Sequence, residues 1–118
     1  MKQIDLELLD KLSNEIAGWH TYCFPKATMV SQMEKLEEEI EEMDMSVSLI
    51  DGFKELVDVF IVASALYYRF GSHLGLHTLD IIKERVKYNT HFIDYVNEKM
   101  ELNKKRDWKE VSEGYYHH

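Results

Sequence analysis

The sequence predicts an all-α domain built like a four-helix bundle, and three observations support this. One proline and five glycines in 118 residues leave few of the turns that strands and hairpins need. Apolar residues recur at intervals of three and four along most of the chain, as they do in amphipathic helices. The helical segments are joined by short links, which are typical of packed antiparallel helices. Residues 1–118 are expected to form a single domain.

Two helices are predicted in the first half of the chain. Lys2–Gly18 repeats apolar residues at helical spacing and is expected to end at its glycine. Trp19–Lys26 (WHTYCFPK) has no periodicity, contains the single proline and is interpreted as a loop. Thr28–Met45 is the second helix, and if it begins a little later Ser31 and Glu34 could form a capping box. Its apolar stripe, interpreted as core, comprises Met29, Met33, Leu36, Ile40 and Met43.

Two further helical regions are predicted in the second half. Val47–Phe70 is apolar almost all round after Asp58, which indicates a helix buried inside the domain. Gly71 and Gly75 are expected to bracket a turn. Thr78–Lys105 is a fourth helical region, either continuous or broken once.

Composition and charge narrow the class of protein. The formal charge of −8 argues against a nucleic-acid-binding protein, which needs a positively charged surface. No apolar run is long enough for a membrane span, and MKQIDLELLD lacks the basic-then-apolar order of a signal peptide, so no membrane partner and a cytoplasmic location are expected. Cys23 is the single cysteine, which excludes an internal disulfide and a cysteine-built zinc site.

Two acidic pairs are the strongest candidates for a functional site. Within KLEEEIEEM (Lys35–Met43), Glu39 and Glu42 are three residues apart beside the apolar stripe of the second helix. Glu55 and Asp58 repeat this spacing on the most apolar helix, where an unpaired charge is costly. If the two helices pack antiparallel, four carboxylates with no matching lysine would face each other and suit Mg²⁺ or Mn²⁺. A solvated acidic helix face is the alternative, and the residues alone leave both interpretations open.

The same acids belong to a longer pattern: EEIEE at residues 38–42, then twelve residues, then ELVD at 55–58. Near the other end, KMELNKKRDW at 99–108 contains K-x-x-x-N-x-x-R. With these motifs the chain resembles the MazG-like all-α nucleoside triphosphate pyrophosphohydrolases. WHTYCFPKATMVSQMEKLEEEIEEM and KMELNKKRDW are similar to the phage and bacterial dATP/dGTP diphosphohydrolase branch. The resemblance covers 19–69 and 99–118, and residues 71–97 match less well.

The resemblance implies Mg²⁺-dependent hydrolysis of a deoxynucleoside triphosphate to the monophosphate and pyrophosphate, in nucleotide-pool control, with Mn²⁺ able to substitute. It also implies a MazG-type bundle that forms a homodimer or homotetramer. By match to the motif, the metal ligands would be Glu39, Glu42, Glu55 and Asp58. Glu38, beside them in sequence, is the candidate general base.

A substrate-binding set is also expected. Lys99, Asn103 and Arg106 recur every three or four residues, so they share one side of a helix and could bind phosphate or ribose oxygens. The alternative is a basic last turn that compensates the helix dipole. Trp19 is the candidate for stacking on the base, with Phe24 beside it in the same segment, although aromatic residues in loops also cover the edges of cores.

Several points stay open from the sequence. Purine substrates, dATP or dGTP, are favoured by the resemblance, while dCTP, dUTP or a damaged nucleotide are alternatives. The number of metal ions, the phosphorus attacked and the choice between dimer and tetramer are not determined. The competing class is a non-enzymatic helical interaction module, in which the acids form a recognition face.

Overall fold

The computed structural model describes residues 1–45, 48–106, 108–112 and 115–117. Within these ranges the domain has five α-helices and a short two-stranded sheet. The elements are α1 (Leu6–Cys23), α2 (Met29–Asp44), α3 (Leu49–Tyr68), α4 (His73–Arg85), α5 (Phe92–Lys105), β1 (Lys109–Ser112) and β2 (Tyr115–His117). The predicted helical fold is confirmed, but the fourth helical region is broken, so that five helices replace the four expected.

α3 is the central helix and packs against α1, α2, α4 and α5. All residues from 59 to 66 are buried, which confirms the prediction of a buried third helix. Phe60 of α3 meets Phe92 of α5 edge to face, with 5.5 Å between the ring centroids. Val47, the predicted first residue of this helix, lies outside the described residues. Because every other helix packs on α3, a polar residue on α3 is placed among several elements at once.

The first helix extends past Gly18, its predicted end, as far as Cys23. The predicted loop is therefore wrong for residues 19–23, which are helical. The buried positions of α1 keep the helical period through two polar residues, Ser13 and His20, which an apolar pattern does not register. The helix stops just ahead of Pro25, because a proline ring disfavours helical conformation in the preceding residue.

α2 buries only part of the predicted apolar face, since Leu36 and Met43 pack in or against the core as expected. Its inward-facing residues include Gln32, Leu36 and Glu39. Three members of the predicted apolar stripe are exposed instead: Met29, Met33 and Ile40. The two polar inner residues, Gln32 and Glu39, line a cavity.

α2 begins where it was predicted to begin, but its capping box is not the one predicted for a later start. Thr28 Oγ1 accepts a hydrogen bond from the Ser31 N–H (3.0 Å), and Ser31 Oγ accepts one from the Thr28 N–H (2.9 Å). The capping box therefore pairs Ser31 with Thr28 and not with Glu34.

Gly75 lies where α4 meets α3 and not in a turn. The turn itself contains Gly71, whose φ of 67° is in the left-handed region that glycine tolerates. α4 already begins at His73, so the predicted turn is wrong at its second glycine. A Cβ added to Gly75 would lie 2.7 Å from the backbone nitrogen of Tyr67 and 2.9 Å from the carbonyl oxygen of Ala63. The missing side chain therefore permits a close approach of two helices.

Gly75→Ala is expected to lower the free energy of unfolding by about 1–3 kcal/mol, because the crowded atoms are backbone atoms and the Cβ of Leu66, none of which can rotate away. Gly18→Ala is the matched control, since an added Cβ there meets nothing within 4 Å. The control is expected to gain up to about 1 kcal/mol from helix propensity. Urea denaturation of both variants measures the difference, and stabilisation of the Gly75 variant would contradict the close approach.

A short antiparallel hairpin follows α5, in which Lys109 pairs with His117 and Glu110 with Tyr116. The sequence did not predict these strands, because β1 has four residues and β2 has three, too few to establish an alternating pattern. In the part of the chain that the structure describes, no helix is long and apolar enough to cross a bilayer.

Candidate functional site

One cavity of about 350 Å³ lies among the end of α1, α2, α3 and α5. All nine residues predicted for the site line its wall: Trp19, Glu38, Glu39, Glu42, Glu55, Asp58, Lys99, Asn103 and Arg106. The structure therefore brings together side chains that are up to 87 positions apart in the sequence (106 − 19). Their chemical roles stay predictions at this point.

The acids of α2 and α3 converge at one end of the cavity. Carboxylate oxygens of Glu39, Glu42 and Glu55 lie within 4.8 Å of one another. Asp58, one turn beyond Glu55 on α3, lines the same wall. The shared spacing of three residues places each pair along one edge of its helix, and the packing of α2 on α3 brings the two edges together.

Two lysines approach the acids, so the expectation that no lysine matches them is wrong. Lys99 Nζ of α5 is 3.4 Å from Asp58 Oδ1. Lys35 Nζ is 3.4 Å from Glu39 Oε1 and 3.8 Å from an oxygen of Glu38. Lys35 was recognisable in the sequence, because residues four apart on a helix are neighbours. Lys99 reaches Asp58 only through the packing of α5 on α3.

The lysines leave the acidic cluster short of positive charge. Burial, together with the charges of Asp58 and Glu42 and against the effect of Lys35, raises the pKa of Glu39 to about 7. Burial is also the main cause that raises the pKa of Glu55, with Asp58 and Glu42 adding to it. Burial raises the pKa of Asp58 even though Lys99 opposes the shift. Ionised carboxylates are therefore unfavourable here without a further cation.

Two oxygens of the cluster point to the same conclusion. Oε2 of Glu39 and Oε2 of Glu55 are buried and accept no hydrogen bond from the residues that the structure describes. An unsatisfied buried carboxylate oxygen is costly, and a bound metal ion would satisfy it. The donors are all carboxylates, which is the ligand chemistry of Mg²⁺ and Mn²⁺. The residues present therefore fit a hard divalent cation.

A basic wall from the end of α5 faces the acids. Arg106 Nη1 donates to Oδ1 of the buried Asn103 (3.3 Å), which holds the guanidinium against the helix end. The prediction that Arg106 lies within the helix is wrong, because Arg106 caps α5 and its backbone is extended. Lys99, Asn103 and Arg106 nevertheless line the cavity together. There they could contact an anionic ligand.

The other end of the cavity is aromatic. Trp19 and Phe24 meet edge to face with 5.4 Å between ring centroids, and Trp108 lies 5.1 Å from Phe24. Trp108 Nε1 donates to the carbonyl oxygen of Asn103 (2.9 Å), which ties this ring to the basic wall. The sequence reasoning gave Trp108 no role, although it stands two residues after Arg106 in the matched motif. A flat ring system is the ligand group that such a cluster suits.

A partly buried arginine holds the segment that carries these aromatics. Arg69 Nη1 donates to the carbonyl oxygen of Phe24 (2.9 Å) and to Nδ1 of His20 (2.8 Å), while Nη2 donates to the carbonyl oxygen of Pro25 (3.3 Å). Burial and the neighbouring Arg69 charge lower the pKa of His20 to about 4, against the opposing effect of a side-chain hydrogen bond to Gln32, which raises it. His20 is therefore neutral at physiological pH.

His20 and Gln32 also line the cavity, and the sequence reasoning missed both. His20 fell in a segment interpreted as loop, and Gln32 lies between two methionines assigned to the core. The missing signal is a contact across 49 positions of sequence, from Arg69 to His20. No local pattern contains such a contact.

Comparison with models of known protein families, with curated proteins and with solved structures found no match. The geometry of the cavity and the motif resemblance therefore carry the argument about function.

Proposed function

We propose that this chain is a Mg²⁺-dependent nucleoside triphosphate pyrophosphohydrolase of the MazG-like type, which converts a deoxynucleoside triphosphate to the monophosphate and pyrophosphate. The observation that carries the proposal is the convergence of Glu39, Glu42 and Glu55 within 4.8 Å, with two buried oxygens unsatisfied among the described residues. A basic wall and an aromatic end complete the same cavity. These three parts match the metal, phosphate and base requirements of one nucleotide.

The acidic end would hold the cation through Glu39, Glu42, Glu55 and Asp58. A bound Mg²⁺ would neutralise triphosphate charge and favour ionisation of a water molecule. Asp58 is held 3.4 Å from the Lys99 ammonium, so the same lysine can pass from the carboxylate to a phosphate oxygen when substrate enters. Lys35 stands in the corresponding position beside Glu39.

The remaining residues would bind and orient the substrate. Arg106 presents a guanidinium that suits bidentate contact with phosphate, and its bond to Asn103 limits the rotamers it samples. Glu38 borders the cavity next to Glu39 and is proposed to accept the proton of the attacking water. Trp19, packed against Phe24 and Trp108, is proposed to stack on the base.

The proposal includes a homodimer or homotetramer. Met29, Val30, Met33 and Ile40 are exposed along α2. These apolar side chains on the outer face of the helix support an assembly that would cover them.

The test is a screen of the common dNTPs with Mg²⁺, in which released phosphate is measured with and without added inorganic pyrophosphatase. We expect phosphate to appear only when the pyrophosphatase is present, since pyrophosphate is the product, and we expect EDTA to stop its release. Release of orthophosphate without the auxiliary enzyme would indicate a different cleavage. No turnover of any nucleotide would support the interaction module instead.

A further inference from the structure

Gln32 is a buried residue in the wall of the cavity, and no motif assigns a role to its side-chain amide. Its exposure is 7%, and its side chain is hydrogen-bonded to that of His20. Gln32 precedes Glu39 by seven residues on α2. Seven residues of helix correspond to about 10 Å along the axis. The partner of Gln32, His20, packs against Phe24 with 4.9 Å between ring centroids. Gln32 therefore lies toward the aromatic end, at about the separation of a base from the phosphates of a nucleotide.

The direction of the hydrogen bond between His20 and Gln32 follows from Arg69. A guanidinium can only donate, and Arg69 Nη1 is 2.8 Å from His20 Nδ1, so Nδ1 must accept. The neutral ring then carries its proton on Nε2. Nε2–H can only donate, so the oxygen Oε1 of Gln32 accepts from it. The amide nitrogen of Gln32, with two N–H donors and no acceptor, is left for the ligand.

We infer that Gln32 donates a hydrogen bond to a carbonyl oxygen of the bound nucleobase, and that the site selects keto bases over amino bases. The inference rests on the proposed function and narrows its substrate class. Guanine and hypoxanthine present O6 as an acceptor, while thymine and uracil present O4. Adenine and cytosine present an amino group at the same edge, which would bring donor against donor and leave both unsatisfied.

The fixed orientation of Gln32 is what makes this selection effective. A free glutamine could flip its amide and accept from adenine or cytosine instead. Here a flip would turn the amide nitrogen toward His20 Nε2–H, so that two donors would meet. Arg69 opposes a change of tautomer, because its guanidinium has no lone pair to receive a proton from Nδ1. Arg69 and His20 are thus positioning residues for Gln32.

The experiment compares pairs of nucleotides that differ at the tested edge: dITP with dATP, and dUTP with dCTP. Binding of α,β-methylene analogues, which resist cleavage at that bridge, is measured in Mg²⁺ by quenching of the cavity tryptophans, and kcat/KM is measured on the natural triphosphates. We expect the keto member to be favoured on the order of tenfold in at least the pair whose ring size fits the cavity. The same preference is expected in binding and in kcat/KM.

Three variants test whether Gln32 is the source of the preference. Gln32→Leu is expected to remove it, since leucine neither donates nor accepts. Gln32→Glu keeps an acceptor for His20 but presents a second acceptor to the base, so it is expected to shift the preference toward the amino member. Glu34→Gln is the matched control on the exposed side of α2 and is expected to leave the ratio unchanged.

The outcomes separate this inference from the proposed function. Turnover with no keto preference, or a preference that survives in Gln32→Leu, would overturn the role of Gln32 and leave the enzymatic activity standing. Absence of both binding and turnover for every nucleotide would overturn both. Long-range ¹H–¹⁵N NMR spectra provide an independent readout in the free protein: we expect the Nε2–H tautomer of His20, and the Nδ1–H tautomer would contradict the proposed orientation.

Discussion

Replacing Glu39 by glutamine is expected to lower kcat/KM for pyrophosphate release more than about 100-fold while leaving the metal-free fold at least as stable as before. Loss of a residue that merely supports a metal ligand costs about 10–100-fold, so loss of a ligand should cost more. Stability should not fall, because burial raises the pKa of Glu39 to about 7 and the ionised carboxylate is unfavourable in the folded state. The ion pair lost with Lys35 is a helical i, i+4 contact of about 0.3–0.5 kcal/mol.

Glu41→Gln is the matched control, because Glu41 is exposed on the same helix. Its activity should equal that of the wild type, and its free energy of unfolding should stay within about 0.5 kcal/mol. Pyrophosphate release and thermal melts in EDTA at pH 8 provide the two measurements. Parallel loss of activity and stability in Glu39→Gln would mean that Glu39 is a structural residue. Full activity would mean that Glu39 is not a metal ligand.

Raising the pH is expected to destabilise the metal-free protein through Glu39. The pKa of this carboxyl rises from 4.5 to about 7 on folding. Between these values the folded state holds a proton that the unfolded chain has already released. The contribution of Glu39 is therefore fully present below about 4.5 and is lost as the pH rises through about 7. The raised pKa values of Glu55 and Asp58 act in the same direction.

His20 also makes the stability depend on pH, but with the opposite sign, so its effect must be separated from that of Glu39. Its pKa is lowered from 6.5 to about 4, so its contribution is present above 6.5 and is lost as the pH falls toward 4. The prediction is therefore made on the difference between wild type and Glu39→Gln, both of which retain His20. We expect the variant to gain stability relative to the wild type as the pH rises from 5 to 8.

Mg²⁺ is expected to reverse this loss, because it binds the ionised carboxylates and competes with protons. At a concentration 100 times its Kd, an ion that binds only the folded state stabilises it by about 2.7 kcal/mol. The increase in Tm should be largest at pH 8, small at pH 5 and strongly reduced in Glu39→Gln. Melts at matched ionic strength with Na⁺ in place of Mg²⁺ are the control. An equal Mg²⁺ increment at every pH would contradict binding at this cluster.

Local patterns account for what the sequence predicted correctly. The spacing of three residues in each acidic pair, and of four between Lys99 and Asn103, places side chains along one edge of a helix whatever the helix packs against. The apolar circumference of α3 likewise requires burial, which the structure confirms. The helical content followed from these features, whereas the choice of candidate site residues also drew on the motif resemblance, and their roles stay predictions.

Predictions that used only the apolar periodicity were wrong where polar residues are buried. Ser13 and His20 belong to the buried face of α1, and His20 continues it beyond Gly18, but both are polar and were therefore not counted in the apolar pattern. α2 was assigned an apolar inner face, whereas Gln32 and Glu39 face inward. A buried polar residue needs a hydrogen-bonding or charged partner, and other helices contribute to the surroundings of these residues.

By itself, then, the sequence determined the helical class, the buried central helix and the short-range spacing of the candidate ligands, because these depend on residues within two turns of each other. Only the tertiary structure decided which way α2 turns, which lysines approach the acids, and how Arg69 orients His20 and Gln32. Those features depend on how the helices cross one another. No periodicity within a single helix encodes that crossing.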